Sequence, residues 1–260
     1  MSKRTYEIID IKILMDGSCG LEEWQKFEKN ELEKFDITIK NEVHEKAHYY
    51  DINVVSLYND SFLFMNADDF MIVNSDWSVG RLHVKQKENA SSFLLQIFYA
   101  QILQKNIIQL HSSLISHQNH GIMFLGPSGI GKTTQAELWQ KYCSSLIING
   151  DIVFVQETDS GFLGWGTPWH GSSPYCENTS VPLKAMVVLK QSDQNSIREL
   201  TGFEKVTEVS NSVFYPQWLE NGMELCLETL DHLLTSIPVY ELRCRPDEDA
   251  VRLTEQTIFS

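Results

Sequence analysis

A glycine-rich run between two apolar segments constrains this chain more than any other stretch. The run fits the phosphate-binding pattern G-x-x-x-x-G-K-[ST], known as the P-loop. In such a loop the backbone N–H groups point at phosphate oxygens, the lysine reaches the β- and γ-phosphates, and the threonine hydroxyl ligates Mg²⁺. The predicted nucleotide-binding residues are Gly126, Pro127, Ser128, Gly129, Ile130, Gly131, Lys132, Thr133 and Thr134.

The segments around this run supply the context that a P-loop needs. Residues 121–125 are apolar and predict a short buried strand, and the spacing from Thr133 to about Ser144 predicts a helix. The positive N-terminal end of that helix would face the phosphates. Residues 107–115 predict a strand just before, and the short polar turn between the two strands allows only an antiparallel hairpin. A glycine-rich turn without a ligand is the alternative interpretation.

Composition excludes several classes of protein. The 260 residues include 35 acidic and 21 basic side chains, giving a net charge of −14, which argues against nucleic-acid binding. No apolar run is long enough to predict a membrane span, and the N-terminus lacks a secretory pattern, so we expect a cytoplasmic protein. The five cysteines are odd in number and far apart, which predicts reduced thiols rather than disulfides or a zinc site.

Two domains are expected from the change in hydrophobic spacing. Residues 1–90 alternate apolar and polar positions, which predicts a mainly antiparallel β-rich domain with one helical insertion near Leu21–Lys34. From Ser91 the spacing is helical, and residues 91–260 predict an α/β domain with a mixed sheet around the P-loop. Further helices are expected over Gly202–Trp218, Met223–Ser236 and Asp247–Ile258.

Asp151 is the candidate catalytic base. It follows an apolar strand that begins just past the P-loop helix, so its carboxylate could accept a hydroxyl proton or, with Thr133, hold Mg²⁺. An aspartate in a tight turn is the alternative. His111 lies in the strand before the P-loop strand, where it could orient Asp151 or be an ordinary core histidine.

Four more residues are candidates for phosphate or substrate contacts. Arg243 and Arg245 precede a helix and could clamp phosphate oxygens, although surface ion pairs would explain them equally well. Trp169 and His170 lie in a loop rich in Gly, Pro, Ser and aromatic residues, a composition common in functional loops. They could form a lid, or they could pack beneath the loop.

The succession of Leu110-His111, the P-loop and an apolar strand ending in Gly150-Asp151 resembles the catalytic domain of HPr kinase/phosphorylase. Residues 166–169, 181–183 and 244–248 look similar to a looser group of kinase-like proteins encoded beside ribosomally made peptides, including kinases of lasso-peptide precursors. The resemblance covers roughly residues 107–258. It departs at Gly150, where HPr kinases carry the first residue of an Asp-Asp pair, and this puts metal binding and the reverse, phosphorolytic reaction in question.

The resemblance implies an ATP- and Mg²⁺-dependent kinase that phosphorylates a serine or similar hydroxyl on a peptide or small protein. Asp151 would be the base, His111 its partner, and Lys132 would contact the transferred phosphate. It also implies a homo-oligomer, since HPr kinases assemble into hexamers. Two alternatives are a kinase of a free small metabolite, such as an amino acid, and a nucleotide-binding regulator without transfer chemistry.

Overall fold

The computed structural model is mixed α/β and divides into two compact units. It describes residues 3–17, 21–30, 32–41, 54–57, 61–66, 68–85 and 87–260. Met1–Lys105 with Pro216–Gly222 form the first unit, and Asn106–Tyr215 with Met223–Ser260 form the second. Among the residues described, no helix combines the length and apolarity needed to cross a membrane.

The first unit is built on a seven-stranded sheet. The order across the sheet is β1-β2-β3-β7-β6-β5-β4. The pairings of β3 with β2 and with β7 are parallel, and the others are antiparallel. Four of these six pairings are antiparallel, so the sheet is mainly antiparallel, as predicted. The two parallel pairings make it mixed and were not predicted, because alternation does not encode strand direction. The strands are β1 Lys3–Ile8, β2 Ile11–Asp16, β3 Ile37–Asn41, β4 Val54–Leu57, β5 Ser61–Asn66, β6 Asp69–Asn74 and β7 Val79–His83.

Two helical segments accompany this sheet. The insertion predicted over Leu21–Lys34 is a single 3₁₀ helix, Glu22–Phe27, and its Trp24 and Phe27 are fully buried. The helix α1, Lys87–Leu103, is apolar on most sides and packs on β6. The sequence suggested a boundary near residue 90, and by its contacts α1 belongs to the first unit. Cys19 and residues 51–53 lie outside the described residues.

The second unit carries the P-loop and most of the remaining elements. Its strands are β8 Ile107–His117, β9 His120–Leu125, β10 Leu146–Asn149, β11 Ile152–Thr158, β12 Gly161–Trp165, β13 Ser180–Gln191, β14 Ser196–Leu200 and β15 Val239–Cys244. Its helices are α2 Lys132–Cys143, α3 Gly202–Ser210, α4 Gly222–Ser236, whose first residue is counted with the first unit, and α5 Glu248–Phe259.

The predicted hairpin before the P-loop is confirmed. Strands β8 and β9 pair antiparallel from Ser112 and Leu125 to His117 and His120. The two turn residues, Gln118 and Asn119, have positive φ angles of 49° and 62°, as a tight two-residue hairpin turn requires. The predicted helix after the loop is also present as α2.

Strand β8 pairs with three other strands of this unit, and its two edges are used differently. Along one edge, residues 114–116 pair with β10 and residues 107–111 pair with β11. Along the other edge, residues 112–117 pair with β9, and Leu110 then bridges to Val213. Residues 150–151, which join β10 to β11, therefore lie beside the point where β9 gives way to the P-loop.

Three parallel strands point their carboxyl ends toward the P-loop. Strand β13 pairs in parallel with both β9 and β15, so these strands end at the same edge of the sheet. Helices α2 and α5 cover one face, where a core of fully buried side chains includes Phe124, Trp139 and Leu242. This packing holds the N-terminus of α2 at the strand ends, where ligands bind in α/β sheets.

The stretch after β13 differs most from the sequence-based expectation. The structure has a strand, β14, that the sequence analysis did not predict, and α3 ends at Ser210 rather than continuing to Trp218. Residues 212–214 leave the helical path to pair with β8, through His111 N–H to Ser212 O and Phe214 N–H to Gln109 O. Long-range backbone hydrogen bonds thus outweigh the local helical spacing in this segment.

Candidate active site

The P-loop has the open backbone cradle that its sequence predicts. Gly126, Gly129 and Gly131 have φ angles of 136°, 78° and 116°, which only glycine adopts readily. A β-carbon at Gly129 or Gly131 would meet nothing within 4 Å, so the space beside both residues is open. Pro127 and Ser128 are exposed at the loop's tip, and Ile130 N–H donates to Pro127 O at 3.2 Å.

Lys132 folds back onto the loop. Its Nζ donates to Gly126 O at 3.1 Å and to Pro127 O at 3.3 Å, and its own carbonyl accepts from Ser113 Oγ at 3.0 Å. Burial lowers the pKa of Lys132 below its usual value, and the negative charge of Asp151 acts in the opposite direction. A buried ammonium held only by carbonyl oxygens is well suited to gain an anionic ligand.

His111 and Asp151 are in direct contact. His111 Nε2 lies 3.0 Å from Asp151 Oδ1, and both side chains are about one-third exposed. Ser112 N–H donates to Asp151 O at 2.9 Å, which fixes the backbone of Asp151 to β8. His111 shares a face of β8 with Ser113, whose hydroxyl touches the first residue of α2. The dyad therefore lies on the face of the sheet that α2 covers.

Thr133 connects the P-loop helix to the residue before the dyad. Its hydroxyl donates to Gly150 O at 3.2 Å. Within the described part of the chain, no group of three or more His, Cys, Asp or Glu residues could hold a metal ion. Mg²⁺ in nucleotide enzymes is typically held by one or two side-chain oxygens together with phosphates and water. The Thr133 hydroxyl and the Asp151 carboxylate fit that requirement.

Residues 166–179, which connect β12 to β13 and are called the aromatic loop below, form a wall beside the dyad and are tied to the edge of β10. Glu177 N–H donates to Ile148 O, and Gly150 N–H donates to Tyr175 O. Trp169 is only 4% exposed and lies edge-on to Phe154. Trp169 therefore packs beneath the loop instead of covering a site from outside.

His170 is also held within this loop. Its Nδ1 contacts Ser173 O, and its own carbonyl accepts from Ser173 N–H at 3.0 Å. The next residue, Gly171, has a φ of 57°, and a β-carbon there would lie 2.1 Å from Asp151 Oδ2. The loop backbone thus lies directly against the carboxylate of Asp151.

Gly150 has no room for a side chain. A β-carbon at this position would lie 1.7 Å from Ser173 Oγ and 2.5 Å from Ser173 Cβ. Ser173 is 7% exposed, and its Oγ accepts from Tyr175 N–H at 3.3 Å. The place of a side chain at residue 150 is therefore filled by Ser173.

The two candidate arginines have different surroundings. Arg243 Nε donates to Glu241 Oε1 at 2.9 Å, and Arg198 donates to the same oxygen. Cys244 faces the α2 side of the sheet, so the preceding Arg243 points to the opposite face. Arg245 Nε donates to Asp247 Oδ2 at 2.8 Å, and Arg245 lines a cavity beside the P-loop.

That cavity has a volume of about 590 Å³ and lies at the carboxyl ends of β13 and β15. Gly129, Gly131 and Thr134 form its P-loop wall, and Gln191, Cys244 and Arg245 are among the residues opposite. β9 lies between β8 and β13 in the sheet. The cavity and the His111–Asp151 dyad therefore flank the P-loop on opposite sides.

The structure places three further residues at this site. Asn149 is fully buried and bonds to both the Asp151 turn and the aromatic loop. Ser173 fills the space beside Gly150, and the Phe214 ring, 42% exposed, lies 6.4 Å from the His111 ring. The only sequence signal for any of them is that Asn149 precedes Gly150-Asp151, because the other two contacts join distant parts of the chain.

Comparison with protein-family models assigns the chain to a family. A family model described as "SynChlorMet cassette protein ScmC" matches residues 85–247, more than half of the 260 residues. The chain belongs to this family. The part matched by the ScmC model includes the P-loop, the dyad, the aromatic loop and Arg245. The expected association with lasso-peptide precursors stays a prediction.

Among solved structures, the chain is similar to the Hpr(Ser) kinase/phosphatase from Coxiella burnetii. The match has 11% sequence identity and a TM-score of 0.33, and it covers 57% of this chain and 91% of that protein. That protein is of the class to which the sequence analysis noted a resemblance. A comparison with curated proteins gives no match.

Proposed function

We propose that this ScmC-family protein is an ATP-dependent kinase that transfers the γ-phosphate to a serine or similar hydroxyl of a peptide or small protein. The acceptor we propose is the precursor of a ribosomally made peptide. The observation that carries the proposal is the 3.0 Å contact between His111 and Asp151 at the strand edge beside an open P-loop. A phosphate cradle alone would only bind a nucleotide, whereas a carboxylate beside it supplies a base.

The acceptor hydroxyl would give its proton to Asp151 as its oxygen attacks the γ-phosphorus, while the bond from the γ-phosphorus to the β–γ bridging oxygen breaks and ADP leaves. His111 would hold the carboxylate of Asp151 in one orientation through the bond to Oδ1. Lys132 would leave its carbonyl partners on the P-loop and contact the phosphate oxygens. Mg²⁺, held by the Thr133 hydroxyl and Asp151, would neutralise phosphate charge when bound.

The nucleotide would lie across the P-loop with its base on the side of the cavity and its terminal phosphate on the side of the dyad. The cavity between α2 and the ends of β13 and β15 is large enough for a nucleoside, and it lies on the side of the loop away from Asp151. A base and ribose in that cavity would leave the terminal phosphate on the side of the dyad. Attack by the acceptor in line with the leaving oxygen requires this direction.

The surroundings of Trp169 favour a peptide acceptor over a free metabolite. A small-metabolite kinase would be expected to enclose its substrate in a pocket closed by Trp169 and His170. Trp169 is instead buried beneath the loop, and His170 is bonded to Ser173 O. A macromolecular acceptor can present its hydroxyl to a partly exposed dyad without being enclosed.

The test is transfer of label from γ-labelled ATP with Mg²⁺ to three acceptor pools: serine-terminated peptides, free serine and related metabolites, and water. We expect label on peptide, and we expect Asp151→Asn to lower kcat by roughly 10²–10⁴-fold, the usual contribution of a general base. The KM for ATP should change by a much smaller factor than kcat, because the P-loop contacts are untouched and only one of the proposed Mg²⁺ ligands is altered. His111→Gln should have a smaller effect on kcat in the same direction.

Other outcomes would change the assignment. Label on a free metabolite would make the protein a small-molecule kinase. ATP binding without transfer to any pool, together with no effect of Asp151→Asn on anything but binding, would make it a nucleotide-binding regulator. Arg243→Ala is a matched control, because its guanidinium is paired with Glu241 on the other face of the sheet.

A further inference from the structure

Asn149 connects the two segments that surround the candidate base. Its Oδ1 accepts from the N–H groups of Asp151, at 2.9 Å, and Ile152, at 3.0 Å. Its Nδ2 donates to the carbonyls of Thr167, at 3.1 Å, and Trp169, at 3.0 Å. The side chain is fully buried, and both ends of the amide are used twice.

These four bonds reinforce a junction that backbone bonds also make, from Gly150 N–H to Tyr175 O and from Glu177 N–H to Ile148 O. The turn at residues 150–151 lies between the pairings of β10 and of β11 with β8, and there the N–H of Asp151 donates to the Asn149 side chain. On the other side, the Thr167 and Trp169 carbonyls lie in the loop whose Gly171 lies against Asp151 Oδ2. A displacement of either segment would move the carboxylate relative to His111.

We propose that Asn149 is a positioning residue for the reaction: it sets the place of the Asp151 carboxylate by fixing both the turn that carries it and the loop that borders it. This inference rests on the proposed kinase function for its kinetic consequence. Its structural consequence, the geometry of the His111–Asp151 contact, can be measured without any turnover.

The main variant is Asn149→Asp, which keeps the size and the acceptor oxygen but replaces the donor amide. A second oxygen would then face the Thr167 and Trp169 carbonyls and repel them. With the serine-terminated peptides and γ-labelled ATP, we expect kcat to fall about tenfold to a hundredfold, the scale of a misplacement near 1 Å. Affinity for a fluorescent ATP analogue should stay within about twofold. A loss of kcat at unchanged nucleotide affinity identifies an interaction that matters in the transition state. A role of Asn149 limited to stability would leave kcat per nucleotide-binding site unchanged in Asn149→Asp, so the fall in kcat distinguishes a positioning role from a structural one.

Two further variants complete the design. Asn149→Ser can still bond to the Asp151 N–H but is too short to reach the loop, so it separates the two halves of the contact and serves if Asn149→Asp does not fold. Asn74→Asp is the matched control. Asn74 also bridges a turn, accepting from Val79 N–H at 2.8 Å and donating to Ser78 Oγ at 3.1 Å, but it belongs to the first unit.

The readout that does not depend on activity is the ¹⁵N chemical shift of the His111 ring, assigned by comparison with His111→Gln. We expect this signal to move in both Asn149 variants and to stay in place in Asn74→Asp. An unchanged His111 signal in folded Asn149 variants, or an equal loss of kcat and nucleotide affinity, would overturn the proposal. If the His111 signal moves while the unchanged protein phosphorylates no acceptor, the proposed function fails and the positioning role stands.

Discussion

Replacing Gly150 with alanine should destabilise the second unit through one identifiable clash. The backbone at Gly150 does not have the positive φ that disfavours other residues, so alanine adds no backbone strain. The added methyl would lie 1.7 Å from Ser173 Oγ and 2.5 Å from Ser173 Cβ. Real β-carbons do not approach other atoms this closely, so Ser173 and its segment must move.

The expected cost follows from what that movement breaks. Overpacking a filled site costs about 1–3 kcal/mol, and moving Ser173 also removes the acceptor for Tyr175 N–H. We expect Gly150→Ala to lower the free energy of unfolding by about 2 kcal/mol. For a unit of this size, that corresponds to a decrease in Tm of roughly 4–8 °C. Differential scanning calorimetry measures both quantities.

The reasoning is tested by a second substitution in the partner. Ser173→Gly removes the two atoms that clash and by itself should cost about 1 kcal/mol, through the lost hydrogen bond and the freer chain. In the double variant Gly150→Ala/Ser173→Gly, most of the first loss should be recovered. The coupling between the two sites should then be about 1 kcal/mol or more.

Gly80→Ala is the matched control, because the atom nearest to its added methyl, at 2.9 Å, is the flexible tip of Ile39. It should cost less than Gly150→Ala. If the effects of Gly150→Ala and Ser173→Gly simply add, Ser173 does not fill the space beside Gly150, and our account of why this chain lacks a side chain there is refuted.

Two further predictions concern nucleotide binding. Arg245→Ala should raise the KM for ATP about threefold to thirtyfold at constant kcat, since it removes a contact of the cavity that is equal in ground and transition states, whereas Arg243→Ala should change neither in the same steady-state assay. Burial lowers the pKa of Lys132, and bound phosphate should raise it again. ATP binding should therefore take up protons at pH values between the lowered pKa and the ordinary lysine pKa of about 10.4. Calorimetric titrations in two buffers of different ionisation enthalpy measure this uptake, which should disappear in Lys132→Ala; uptake that persists would mean that another group titrates.

Local patterns in the sequence were enough to predict the centre of the second unit. The glycine positions of the P-loop, the apolar run before it and the short turn after His117 each specify their own backbone, and the structure has the hairpin, loop and helix in this order. The contact of His111 with Asp151 could also be anticipated, because both follow from strand order beside the loop.

Features that depend on long-range contacts were not accessible in the same way. The parallel pairings of β3 follow from the path of the chain between strands, which alternation does not record. The end of α3 at Ser210 is set by pairing of residues 212–214 with β8, and the fit of Ser173 against Gly150 joins positions that only the folded loop brings together. Patterns in a single sequence do not record such contacts between distant residues.

The division of β8 between two sets of partners has a consequence for how far relatives of this chain can vary. One half of the strand is registered to β9, and so to the start of the P-loop, while the other half is registered to β11, and so to Asp151. Inserting a single residue between Ser112 and His117 would turn His111 to the opposite face of the sheet relative to the cradle. The number of residues between His111 and Gly126 can therefore increase in two ways. Residues can be inserted at the hairpin turn, or one residue can be inserted in each of the two paired strands. This counting rule can be used to recognise functional relatives whose sequences have otherwise diverged.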